Sequence, residues 1–218
     1  NANPPAETTN WKSVGTILFG IAVNPVTGRV YVSNTEANNL TRFEGPGNSA
    51  SRVRGNLHRA RITVLDGTQV KPRNLNKHID YTTKGAPGDK NKTLAQPVEM
   101  AVTSDGQTLY VAAYGSSKIG VFSTAEIESD TFVPDAASQI QLGGGGPTGL
   151  VLDEPRQRLY ALSRFTNTVS VVDTASKTEL TSVALYDREP ANVFNGRVFG
   201  NDAFYSSANG ESRSSSSS

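Results

Sequence analysis

The sequence predicts an all-β fold, a β-propeller of four-stranded antiparallel blades, on three observations. The stretches "FGIAVNPVTGRVYVSN", "VEMAVTSDGQTLYVAA" and "TGLVLDEPRQRLYALS" repeat around Tyr31, Tyr110 and Tyr160. Each reads as an apolar strand, a tight turn and a second apolar strand. The last two tyrosines stand 50 residues apart, the length of one blade and its connection. A single blade cannot cover both of its apolar faces, whereas blades stacked around an axis cover each other. A β-sandwich also uses short strands at regular spacing, but repetition of the same tyrosine and turn offsets favours the propeller.

The elements follow in order. Eleven residues before the tyrosines stand Gly20, Glu99 and Gly149, each followed by an apolar triplet, and Pro97 and Pro147 open the second and third copies. Thr27-Gly28 and Asp105-Gly106 supply hairpin turns. Third strands end at Asp66 in "RITVLD", Ser123 in "KIGVFS" and Asp173 in "TVSVVD". That end lies thirteen residues after the tyrosine in the second and third copies and thirty-five after it in the first, so the first copy carries an insertion of 22 residues. A further 7 are inserted before the second copy, placing basic insertions at 40–61 and 74–93. In the third copy the strands are expected near Gly149 to Asp153, Arg158 to Ser163, Thr168 to Asp173 and Glu179 to Ala184. An additional outer strand is expected in "WKSVGTILF".

Composition sets the bounds. A chain of 218 residues with 36% hydrophobic residues can bury a sizeable core. No window approaches eighteen apolar residues, and "NANPPAETTN" has neither a basic nor an apolar leader region, so neither a membrane span nor a signal peptide is expected. Zero cysteines exclude disulfides, cysteine-ligated zinc, thiol nucleophiles and covalent haem c within these residues. The net charge of +1 conceals a segregation: Arg42 to Lys92 holds eleven Lys and Arg against four Asp and Glu, the remainder ten against sixteen.

The signature Tyr31-Val32-Ser33-Asn34, with looser versions at Tyr110-Val111-Ala112-Ala113 and Tyr160-Ala161-Leu162-Ser163, resembles the YVTN-repeat β-propellers. "PTGLVLD", "RLYAL" and "NTVSVVDT" strengthen a resemblance that covers roughly Leu18 to Pro190. It implies a fold and a periplasmic or extracellular, cell-surface location, and no reaction. Propellers close with four to eight blades, and three are readable, so the ring is expected to belong to a larger propeller or to be completed by another chain.

Residues 1–190 are therefore read as propeller blades, and 191–218 as a linker or tail. From Asn195 to Glu211 the tail is similar to the start of a di-haem cytochrome c peroxidase-like domain, through Gly196-Arg197, Phe199, Asp202, Ser206-Ser207 and Asn209-Gly210-Glu211. In that family a Cys-x-x-Cys-His motif follows, which here would fall at Ser214, Ser217 and Ser218. Serine forms no thioether and is not a usual haem ligand, so these positions are not competent as written. No cofactor is expected within this sequence, and haem c would belong to the parent protein. The other reading of "SRSSSSS" is a flexible polar tail.

Other candidates are weaker. Arg52, Arg54, Arg59 and Arg61, then Lys71 and Arg73, are candidates for binding anions or an acidic partner at the rim of one face. Nucleic acid is disfavoured by the near-neutral total and the sparse aromatics. His58 and His78 lack a carboxylate or second histidine at ligand spacing, so no metal is expected. No Ser/His/Asp set can be named, and Asp153-Glu154 read as solvated turn acids. "LGGGGP", Leu142 to Pro147, has no following Lys-Ser/Thr or helix and reads as a flexible inter-blade connection. The expected function is a non-catalytic platform in an exported electron-transfer, cytochrome c-fused protein, serving binding or docking. The alternative is a cell-surface structural or adhesive propeller that contacts protein or polysaccharide without haem.

Overall fold

The structure, a computed structural model, describes residues 9–37, 57–81, 86, 88–186, 189–206 and 210–211. Among these, twelve strands form three antiparallel sheets of four. Blade one contains β1 (Ile17–Val23), β2 (Val30–Ala37), β3 (His58–Asp66) and β4 (Gln69–Asn74). After α1 (Asp89–Lys92), blade two contains β5 (Pro97–Val102), β6 (Thr108–Ala113), β7 (Lys118–Ser123), α2 (Thr124–Ser129) and β8 (Gln139–Gln141). Blade three contains β9 (Pro147–Asp153), β10 (Arg158–Ser163), β11 (Thr168–Asp173) and β12 (Thr178–Ala184). The strands of the third copy fall where the tyrosine offsets put them. The fold is thus a partial β-propeller, with the innermost strand β5 flanked by β1 and β9.

The repeated offsets have a packing cause. Successive strand residues point to opposite faces, so each tyrosine faces the next blade while its neighbours face the preceding one. Tyr31 is fully buried against blade two, in a cluster with Ile62, Val64, Met100, Leu109 and Val111. Tyr110 is buried against blade three, with Ile119, Ile140, Leu159, Ala161 and Val172. Tyr160 points the same way from blade three and is only half-buried. The first hairpin turns also match expectation, with Gly28 and Gly106 both at φ +70°. Gly106 meets a second demand, because a Cβ there would lie 2.5 Å from Asn24 Oδ1, whose own amide donates to the Gly106 carbonyl.

Three expectations are corrected. Ile17 to Phe19 begin β1 and pair with Asn34 and Thr35, whereas Trp11 to Val14 form no outer strand but lie over Val32 and Leu65. The first insertion ends before His58, because the strand pattern runs back through buried Ala60 and pairs with Thr35 to Ala37. "LGGGGP" is an inter-blade connection, yet a packed one: the carbonyls of Gly144, Gly145 and Gly146 accept the amides of Thr166, Phe165 and Arg164. A Cβ at Gly146 would lie 2.5 Å from the Phe165 ring.

Candidate functional site

Up-and-down topology decides which loops share an end. With every strand antiparallel to its neighbour, the β1–β2 and β3–β4 turns lie at one end, the hairpin end. The β2–β3 loop and the β4–β5 connection lie at the other. The same holds in each blade, so the first insertion, the α1 connection and the chain leaving β12 all emerge together. The tail then forms α3 (Ala191–Asn201) and α4 (Ala203–Ser206).

The tail returns to the blades through two buried carboxylates. Asp202 accepts the Phe204 amide at 2.8 Å and the Ser117 hydroxyl at 2.6 Å, which ties the start of α4 to the β6–β7 loop. Glu211 is buried, with Oε1 accepting the Ala60 amide at 3.0 Å and Asn76 Nδ2 at 2.9 Å. Asn76 continues inward, donating to the Leu94 carbonyl and accepting its amide. Tyr81 also hydrogen-bonds Glu211, and the Arg59 guanidinium stacks 4.7 Å from the Tyr81 ring centre. Burial raises the Glu211 carboxyl above the usual range, against the opposing pull of these donors and of Arg59. Sequence reasoning missed this anchor, since a single glutamate in a polar tail carries no periodic signal.

A cavity of about 300 Å³ separates α4 from blade two, lined in part by Lys90, Lys118, Gln141 and Tyr205. Lys118 opens β7 where the third copy has Thr168, which was the available signal for an unusual group. Burial pushes its ammonium down to about 8.

The cationic candidates divide. Arg52 and Arg54 lie outside the described residues, as do Ser214, Ser217 and Ser218. Arg59 and Arg61 lie together on β3 at the insertion end, where Arg61 pairs with Glu36 at 3.2 Å. Lys71 and Arg73 lie on β4 opposite Val64 and Ile62, on the face turned to blade two, whereas Arg59 and Arg61 point to the other face. Lys71 pairs with Asp66 at 2.8 Å, and Arg73 donates to the Ile127 and Glu128 carbonyls of α2. A basic count along the chain does not resolve which face of the sheet each charge occupies.

His58 is half-buried, and desolvation lowers its pKa; His78 Nε2 lies 3.1 Å from the Asp89 carbonyl and its pKa is lowered for the same reason. Glu154 accepts the Ser104 amide and hydroxyl, bridging blades two and three, while Asp153 pairs with Arg156. At the hairpin end Tyr31 donates to Glu128 at 2.6 Å and Arg29 pairs with the same carboxylate at 2.5 Å. No helix among the described residues is long and apolar enough to cross a membrane.

No protein-family model matches the chain, and no curated protein matches it in sequence. Among solved structures it is similar to Kuenenia stuttgartiensis hydrazine synthase, at 16% identity and a TM-score of 0.57, over 74% of this chain and 46% of that one. It is similar to the Pseudomonas aeruginosa periplasmic gluconolactonase PpgL, at 14% identity and a TM-score of 0.49, over 81% and 44%. A nidogen/laminin complex matches at 15% identity and a TM-score of 0.49, over 83% and 50%. The chain thus spans half or less of the length of these structures, and the likeness is one of fold.

Proposed function

We propose that this chain is the platform part of a YVTN-type propeller in an exported, periplasmic or cell-surface electron-transfer protein, with a cytochrome c module joined at the tail. The observation that carries this is the return of the tail: Asp202 and Glu211 are buried at the insertion end, Asp202 against Ser117 and Glu211 against the Ala60 amide, which lies between Arg59 and Arg61 on β3. A module continuing from Glu211 therefore starts against the propeller on that face. Its orientation is set by the anchor, and Arg59 and Arg61, stacked on Tyr81 and paired with Glu36 respectively, put positive charge on that face toward an acidic partner surface. The platform itself supplies binding and docking, and further blades, from this or another chain, cover its two open faces. Haem does not fit the residues present, because serines occupy Ser214, Ser217 and Ser218. It belongs to the module of the parent protein.

The test is the intact mass, a C-terminal peptide map and an absorption spectrum of the source protein. A chain continuing into Cys-x-x-Cys-His with a Soret band is the expected result. A mass ending at Ser218 with no haem overturns it and leaves a structural or adhesive propeller.

A further inference from the structure

The cavity between α4 and blade two has the construction of a small-molecule site. Its volume, about 300 Å³, lies at the lower end of the range for ligand pockets. It lies where three separate segments meet: β7 and β8 supply Lys118 and Gln141, the α1 connection Lys90 and Asn91, and the tail Phe204 and Tyr205. Such junctions are where pockets with a few convergent polar groups and an apolar wall commonly form.

The charges select the ligand. Lys118 is 8% exposed and donates two of its three hydrogens, to the carbonyls of Asn91 at 2.7 Å and Lys90 at 3.3 Å. An ammonium has three donors, so one remains for a guest. Lys90 donates to the Phe204 carbonyl at 2.9 Å and brings a second cation to the rim. Asp202 is the one carboxylate on the wall; it accepts from Ser117 and from the Phe204 amide, both neutral donors, and its charge attracts Lys118. Two cations against one anion leave the cavity with a net positive charge, and Phe204 and Tyr205 give it an aromatic side.

We propose that this cavity binds a small aromatic carboxylate, whose anionic group meets Lys118 and Lys90 and whose ring lies against Phe204 and Tyr205. Charge-assisted hydrogen bonds to a desolvated ammonium supply most of the affinity, and ring contact supplies the selectivity. The site does not depend on the cytochrome reading. Because the guest touches both blade two and the tail, its binding also strengthens the docking of α4.

Sodium benzoate is the probe, titrated into the full chain by calorimetry, with acetate and benzylamine beside it. In parallel, acetylation of Lys118 by a small amine-reactive reagent is followed by peptide mass spectrometry. The expected result is saturable one-to-one binding of benzoate, tighter than acetate, with benzoate slowing Lys118 acetylation. Lys118→Met weakens binding about tenfold or more, the loss expected for a charged hydrogen bond, and Lys90→Gln weakens it less. Absence of saturable binding, preference for benzylamine, or unchanged affinity in both variants overturns the proposal. If Lys118→Met does not fold, Lys90→Gln and the protection of Lys118 in the unmodified chain decide it.

Discussion

Leu159 and Leu162 stand three residues apart on β10 and face opposite ways. Leu159 is fully buried against blade two, whereas Leu162 is 42% exposed on the far side. The exposed side is no less apolar: Val151, Tyr160, Val169, Val171 and Val183 share it. On blade one, Leu18, Ile21 and Val23 are likewise exposed on the face turned away from blade two. A sheet meant to face water alternates apolar with polar residues, and these faces do not. The difference between them is therefore one of coverage and not of sequence, and it supports the proposal that further blades cover the open faces.

The largest way to break that comparison is to truncate both leucines. In this chain Leu159→Ala should cost about 2–5 kcal/mol by removing a fully packed side chain, and Leu162→Ala well under about 1 kcal/mol, measured by urea denaturation. Equal costs would mean that the open face is already covered. The offsets that placed β10 are local and repeat with period two, which is why the strands, the hairpin turns and the direction of each tyrosine were legible in the sequence.

A second prediction concerns the tail. Glu211→Ala leaves the Ala60 amide, Asn76 and Tyr81 without their carboxylate, at a cost of about 1–3 kcal/mol. Hydrogen exchange at the Ala60 amide should accelerate, while exchange in β10 and β11 stays unchanged. This contact was not legible, because Asn76 and Glu211 are separated by 135 residues and nothing periodic links them. The same reason explains Lys71 and Arg73, which read as part of a basic patch but serve the hairpin end, where α2 reaches back to blade one.

The third prediction is a pH dependence. The Lys118 ammonium is held at about 8 by burial, below its ordinary 10.5. Below pH 8 the group is charged in both folded and unfolded chains, and the burial penalty is constant. Between about pH 8 and 10.5 the unfolded chain holds more protons, so stability rises with pH through that window. Lys118→Met should remove this rise, and a rise of unchanged size in the variant would contradict the assignment.

The smallest effect compares equivalent tyrosines. Tyr31→Phe removes the hydrogen bonds to Glu128 and Asn24 and should cost about 1 kcal/mol. Tyr160→Phe, on the half-covered face, should cost near zero in this chain. Thermal melts of the two variants give the contrast directly.

The most direct test of the proposed coverage uses the absence of cysteine. Leu162→Cys introduces a single thiol, whose reaction with a polar maleimide reports access to the far face of blade three. We predict rapid labelling in the 218-residue chain and strong protection in the protein assembled in its source. Equal labelling rates in the two would contradict the claim that another blade covers this face.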